Sequence, residues 1–312
     1  MGDKRDSIIG SIQPGAGHTA AFYDWLETEV LDNEGHLSTE HYACLSRYYG
    51  TLAGRADQTG NAALRPFYRY NWTRRVAPML DLVLALPGRD VPARAARWRI
   101  LDAGCGVGTE SIFWSILRED VKVIGVDIAP ERLEVAAARK AAYERRLGRA
   151  LNLRFCQRDV LSALADERFD LIWAMESISH IDPAQEFLAR AFKCLSDEGT
   201  LVISDSHILN PVMAWRVLAL RASGVQERTS KTLASGESIS YAQERLFAVS
   251  QLARMLKGAG FRSVHSQLGV YFPPVLAHST AGLKVCARMD SFLSRIPLVR
   301  NLGGIYTMVA QK

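Results

Sequence analysis

From residue 98 onward the chain returns repeatedly to short apolar runs: WRILDAG, VKVIGVD, LNLRFCQ, FDLIWAM and GTLVISD. Each run is bounded by turn or polar residues, and helical patterns lie between them. The clearest helix follows Asp182-Pro183, with apolar residues at Phe187, Leu188, Ala191, Phe192 and Leu195. Strands that are apolar along their length must be covered on both faces, and strands separated by helices pair in parallel through crossovers. The alternation therefore predicts an α/β domain with a mostly parallel sheet and helices on both faces. Asp182 is placed to cap the helix after it, and Pro183 fits its first turn. A last helix is expected over 250–260, with Ser250 as N-cap and Gly260 as stop. Two more strands follow, in RSVHSQL and GGIYTMVAQ.

The flanks read differently. Residues 1–15 are polar and contain Gly and Pro, so they are expected to be mobile. From about Thr19 to Leu86 the pattern is helical, strongest in AAFYDWLETEVL and NWTRRVAPMLDLVLAL. LPGRDVPARAAR then reads as a linker. The expected division is an N-terminal helical extension or lid over 1–95 and a principal domain over 96–312. Within the latter, 206–245 are too long for a plain loop and predict an inserted helical cap, its helix near Val212–Ala222.

Composition narrows the class. Of 312 residues, 48% are hydrophobic and 23% charged, enough to bury a substantial core. No run reaches the roughly 18 apolar residues that span a bilayer, and the start MGDKRDSIIGSIQPG lacks the apolar segment of a secretory signal. The five cysteines (Cys44, Cys105, Cys156, Cys194, Cys286) form no CxxC pair, which predicts reduced thiols, a cytoplasmic location and no metal site. The net charge of +5 is spread in short groups such as Arg74-Arg75 and Arg145-Arg146, so no nucleic-acid partner is expected.

The stretch Ile100-Leu101-Asp102-Ala103-Gly104-Cys105-Gly106-Val107-Gly108-Thr109-Glu110 carries the most chemistry. An apolar strand runs into three glycines at alternate positions, and a helix opens behind them. Glycine allows unusual backbone angles and a close ligand approach, and the helix start supplies unpaired amides. Nicotinamide-binding loops read GxGxxG. Here the third glycine of that pattern falls on Thr109, and the chain reads GxGxG with Asp102 ahead of it.

This arrangement resembles motif I, E/DxGxGxG, of the class I S-adenosylmethionine-dependent methyltransferases. The resemblance implies a seven-stranded Rossmann-like sheet with an antiparallel final strand, and S-adenosyl-L-methionine as cofactor. It further implies that Gly104, Cys105 and Gly106 hold the methionine part, while Asp102 supports the loop or binds the amino group. Asp127, at the end of VKVIGVD, is placed to accept both ribose hydroxyls, a geometry shared with dinucleotide sites. Asp159 and Val160, in CQRDV, are expected at the adenine amino group, with Ile128 against the adenine face. As a bare residue, Asp159 is equally a turn former.

The acceptor side is expected after strands four and five. Met175-Glu176-Ser177-Ile178-Ser179-His180 resembles the ESxxH segment of methyltransferases acting on quinone, tocopherol, sterol and natural-product sugar substrates. Met175 is assigned to the cofactor side. His180 is the candidate base or acceptor-orienting group, or else a histidine bonding backbone near Asp182. Glu176 is a candidate for the cofactor's amino group or the acceptor, or a helix-start carboxylate. His207 is a third catalytic candidate. Tyr68, Tyr70 and Trp72 belong to the lid or to core packing.

Methyl transfer from a sulfonium needs positioning first and a base only where the acceptor must lose a proton. The expectation is O-methylation of a natural product or other small metabolite, by an enzyme without stable membrane insertion and with a homodimer possible. Three rivals remain open. One is a C- or N-methyltransferase of a lipid, quinone or sterol-like acceptor, with PVMAWRVLALRAS as an interfacial helix. The second is an NAD-dependent oxidoreductase, and the third a binding protein that has lost catalysis. MESISH in place of D/NPPY, and no Pro-Cys pair in the loop, argue against nucleic-acid base methylation.

Overall fold

A computed structural model describes residues 65–86, 98–165, 167–233, 236–272 and 279–312, with residues 40 and 276. The expected helix in AAFYDWLETEVL and most of the linker lie outside these residues. The strands form a seven-stranded sheet in the order β3-β2-β1-β4-β5-β9-β8, and β6 and β7 pair separately. The chain divides into two compact units, Met1–Gln157 and Arg158–Lys312.

In the first unit, α1 (Arg65–Ala85) precedes β1 (Trp98–Ala103), α2 (Thr109–Leu117), β2 (Val121–Asp127), α3 (Pro130–Leu147) and β3 (Leu153–Gln157). The three strands are parallel, with Asp102 opposite Gly125 and Asp127 opposite Gln157. Ile100, Leu101, Val123 and Val126 are buried although neighbours point to opposite faces, as the unbroken apolar runs require. Between β1 and α2 the chain must turn at once. Gly104, Gly106 and Gly108 do so with φ of 82°, 53° and 73°, a region other residues enter only at a cost. Helix α3 starts with Pro130 in its first turn and stops at Gly148 in the left-handed region.

The second unit holds α4 (Val160–Ala163), β4 (Phe169–Met175), α5 (Ala184–Cys194), β5 (Leu195–Ser206), α6 (Pro211–Ala222), β6 (Arg228–Thr232) and β7 (Ser238–Ala242). It continues with α7 (Val249–Ala259), β8 (Ser263–Gly269), α8 (Thr280–Leu293), a 3₁₀ turn (Val299–Leu302) and β9 (Ile305–Gln311). β4 and β5 are parallel, and β9 runs antiparallel to both β5 and β8.

Three local expectations are corrected. Asp182 does not cap α5: the cap position is Pro183, with no side-chain bond, and the Asp182 carboxylate is held by arginines from the insertion. Ser250 does not cap α7 but lies within it, because the helix starts one residue earlier. The 206–245 segment holds its expected helix, capped by Asn210, whose side chain accepts from the amides of Val212 and Met213. It also contains the β6–β7 hairpin, which the sequence reading lacked. The strand RTSKT is wholly polar, and the alternation in SISYA spans only Ile239 and Tyr241, too short a pattern to read.

Candidate active site

The glycine loop is built from the bottom of the first unit upward. The Val126 carbonyl accepts from the amides of both Gly104 and Cys105, pinning the turn to β2. Asp127 accepts from the Gly106 amide through Oδ2 at 2.9 Å and from the Ala129 amide through Oδ1 at 2.8 Å. Each carboxylate oxygen can accept a second bond, so Asp127 keeps the capacity to receive a diol. Gly108 leads into α2, and a Cβ there would lie 2.5 Å from the Phe155 ring and 2.9 Å from Ala136. A Cβ on Gly125 would meet the same ring at 2.7 Å and the Cys105 sulfur at 2.9 Å. Phe155 thus fills the space beneath the loop because two glycines leave it open.

Asp102 is buried behind the loop and accepts from the Ser111 hydroxyl at 2.6 Å. Burial pushes its carboxyl up to about 8, and the nearby Glu110 and Asp127 charges push the same way against the Ser111 bonds. Burial also drives the Cys105 thiol well above its ordinary value, so this cysteine is a small packing residue rather than a nucleophile. Ile128 is half-buried at the end of β2, and its carbonyl lies 3.5 Å from the Gln157 amide nitrogen. Trp72 donates to Glu110 at 3.1 Å, tying α1 to the helix that follows the loop. Tyr70 is half-buried on α1, 3.5 Å from an Arg74 nitrogen; the Tyr68 side chain lies outside the description.

Arg139 was not anticipated. It is wholly buried on α3 and donates to the Val107 carbonyl and the Thr109 hydroxyl, both at 2.7 Å. It therefore clamps the end of the glycine loop with a charge. Its signal was present: Arg139 falls on the same helical stripe as the buried Leu133, Ala136 and Tyr143.

In the second unit, Asp159 precedes α4, and burial raises its carboxyl above the usual range, partly offset by the Val160 and Leu161 amides. Val160 is buried and Met175, closing β4, is half-buried. Glu176 comes next with φ of 49°, a left-handed conformation that costs a residue with a Cβ about 1–2 kcal/mol. Its amide donates to the Ser204 carbonyl, holding the turn to β5. His180 follows and is exposed. Its Nδ1 lies 3.2 Å from the Ala242 carbonyl. A carbonyl only accepts, so Nδ1 carries the proton and Nε2 is left as an acceptor.

His207 has a different post. It is 1% exposed, its Nδ1 faces the Gly303 carbonyl at 3.2 Å, and its Nε2 accepts from the Val249 amide at 3.2 Å. That ring supplies the start of α7 with the acceptor assigned in sequence to Ser250. Burial lowers its pKa, against a smaller opposite effect of the Gly303 bond. Asp205, which the sequence reading passed over, is buried at the end of β5 and accepts from the Ser179 amide at 3.1 Å.

A loop of left-handed glycines on a parallel sheet, an acidic residue closing the second strand and an antiparallel last strand define a class I methyltransferase fold. Comparison agrees: a family model described as a methyltransferase domain matches residues 96–253, half of the chain, and the chain belongs to that family. It is 31% identical over 112 residues to erythromycin 3''-O-methyltransferase of Saccharopolyspora erythraea, an alignment covering 34% of each chain. It is 26% identical to the ubiquinone biosynthesis O-methyltransferase of Rhizobium etli, over 78% of this chain and 90% of the relative. Demethylmenaquinone methyltransferase of Tropheryma whipplei matches at 26%, over 72% and 86%. Among solved structures, magnesium protoporphyrin IX methyltransferase of Synechocystis with bound SAH aligns with a TM-score of 0.49 at 14% identity, covering 87% and 95%. The protein is an S-adenosylmethionine-dependent methyltransferase. The oxidoreductase reading is set aside with that assignment. No helix among the described residues is long and apolar enough to cross a membrane.

Proposed function

We propose that this enzyme methylates a hydroxyl of a small-molecule acceptor, with His180 as the proton acceptor. One observation carries the reading: His180 is exposed, and its ring is oriented through Nδ1 so that Nε2 is the basic nitrogen. A neutral imidazole with an open Nε2 suits removal of a hydroxyl proton as the new bond forms. The O-methyltransferases among the relatives, for erythromycin and ubiquinone biosynthesis, favour oxygen as the accepting atom.

The residues present fit the cofactor. The charges of Glu110 and Asp127 suit its cationic groups, and the glycine loop leaves the open backbone a bound ligand needs. Asp127 would hold the ribose, Gly104, Cys105 and Gly106 the methionine part, and Ile128, Asp159, Val160 and Met175 the adenine side. When bound, the cofactor supplies a methyl group activated by the neighbouring sulfonium. Glu176 orients the amino group or the acceptor, and its left-handed backbone is the sign that this position is constrained. His207 receives no catalytic role, since both ring nitrogens are engaged. Residues 1–95 serve as a lid, anchored by the Trp72–Glu110 bond, and 206–245 as the acceptor cap. The free thiols of Cys105, Cys156, Cys194 and Cys286 suit the reducing cytoplasm.

The test is methyl transfer to a panel of hydroxylated small molecules, with SAH formation as readout, comparing wild type with His180→Gln. Loss of turnover with retained SAH binding supports the reading; unchanged turnover removes His180 from it. A second reading, an apolar or lipid-borne acceptor, rests on α6, where Trp215 is 71% and Leu218 60% exposed. Sedimentation of the protein with and without lipid vesicles separates that reading from a homodimer covering the same face.

A further inference from the structure

The exposed histidine is not held by the strand that delivers it. His180 stands on a short turn after β4, its amide bonded to the Ser177 carbonyl. Beyond that, its partners come from the insertion. Ala242, the last residue of β7, donates its amide to the His180 carbonyl at 2.8 Å and accepts the ring through its own carbonyl at 3.2 Å. The neighbouring residues Ile181 and Tyr241 form an isolated antiparallel bridge. One backbone residue of the hairpin therefore grips both the main chain and the imidazole.

A part-buried ion pair locks this grip. Asp182, with a side chain 5% exposed, accepts from Arg245 Nη1 at 2.6 Å and from the Ser240 hydroxyl at 2.9 Å, with Arg228 Nε at 3.3 Å. Arg245 Nη2 donates to the Ile181 carbonyl at 2.7 Å, and its amide to the Ser179 carbonyl at 3.1 Å. Residues 179, 181 and 182 are thus joined to 228, 240 and 245 on either side of the histidine. Burial alone would raise the Asp182 carboxyl. The bonds from Arg245 and Ser240 and the charges of Arg245 and Arg228 outweigh it and hold it below its usual value.

We propose that Asp182 and Arg245 are positioning residues: by fastening the β6–β7 hairpin to the 179–182 turn, they place the Ala242 carbonyl where it fixes the His180 tautomer. The inference rests on His180 being the proton acceptor, and it adds what makes it one. An unanchored imidazole exchanges its proton between both nitrogens, and only the form protonated at Nδ1 leaves Nε2 able to take a proton. Because the hairpin belongs to the insertion, changes there reach the base through the backbone of Ala242.

The experiment compares wild type with Arg245→Met, Arg245→Lys and Asp182→Asn. The readouts are the imidazole ¹⁵N shifts, assigned to His180 by the signal absent in His180→Gln, the pH profile of kcat, and SAH affinity. Wild type is expected to show the Nδ1-protonated form. Arg245→Met should show mixed tautomers, kcat lowered by about ten- to a hundredfold, a displaced acid limb and SAH affinity within about twofold. Arg245→Lys should recover part of the loss. Asp182→Asn, which keeps the volume, should move the same readouts if Arg245→Met fails to fold. Wild-type tautomer and pH profile in folded Arg245→Met or Asp182→Asn overturn the proposal. Unchanged turnover in His180→Gln overturns instead the reading of His180 as base, and leaves the tautomer measurement to judge the clasp.

Discussion

The two units hold their functional groups by opposite means. In Met1–Gln157 the glycine loop takes its shape from three left-handed glycines of its own, and β2 and α3 anchor it through Val126, Asp127 and Arg139. In Arg158–Lys312 the exposed His180 is shaped from outside, by a hairpin about sixty residues further along the chain. A loop that must admit one invariant cofactor can be written into a short stretch. The exposed His180, proposed to meet the acceptor, is tied instead to a distant segment, the insertion. Burial follows the same line, since Asp102 and Asp127 are buried while Glu176 and His180 are exposed.

The sharpest way to break this contrast is His180→Gln. Turnover should fall by about 10²- to 10⁴-fold, as for a lost general base, with SAH affinity unchanged by calorimetry. An equal loss of SAH binding would erase the division of labour. Asp127→Ala does the reverse: SAH affinity should drop by about a hundredfold, from loss of bonds to a charged acceptor together with the loop's own anchor at Gly106. Intact binding there would mean that the loop does not depend on β2. A smaller effect is expected from Gly108→Ala. It should cost about 2 kcal/mol of stability through its φ of 73° and its clash with Phe155, seen as a lowered Tm. Shortening Phe155 to Leu in the same chain should return part of it.

The smallest effects are in pH dependence, and the two units should differ in sign. Asp102, raised to about 8 in the folded chain, favours the folded state while the unfolded carboxyl is also protonated, below about 4. That contribution is lost as pH rises toward 8. His207, lowered by burial, contributes stability above its unfolded value of about 6.5 and loses it as pH falls through the folded value. Melting curves of the cofactor-free protein across pH should therefore flatten on the alkaline side in Asp102→Asn and on the acid side in His207→Gln. Flattening on the wrong side in either variant would reverse the assignment.

What could be read in advance follows the same divide. The motif from Asp102 to Gly108 is contiguous, and the features that identify it are local: left-handed angles, a strand before, a helix after. Asp127 was legible because strand periodicity places it at the end of β2. Arg139 was not read, although it interrupts an apolar stripe. A buried charge needs a partner, and its partners, Val107 and Thr109, are a loop away. His207 suggests chemistry from its place after β5, at the edge where the acceptor side is expected, and only the packing of α7 shows the Val249 amide on its ring. Asp182 suits a cap by its place before a helix, while the arginines that hold it lie far along the chain, in the insertion.

By itself the sequence determined the seven strands of the main sheet, the glycine turn and the identity of the class, because hydrophobic period and backbone permissiveness act over a few residues. The tertiary structure decided the rest. It made Ala242 the partner of His180, gave His207 to α7 and brought Arg228 and Arg245 to Asp182. Those contacts join residues far apart in the chain, and polar side chains carry no period that announces their partners. Which donor meets which acceptor is settled only when burial removes water as the alternative.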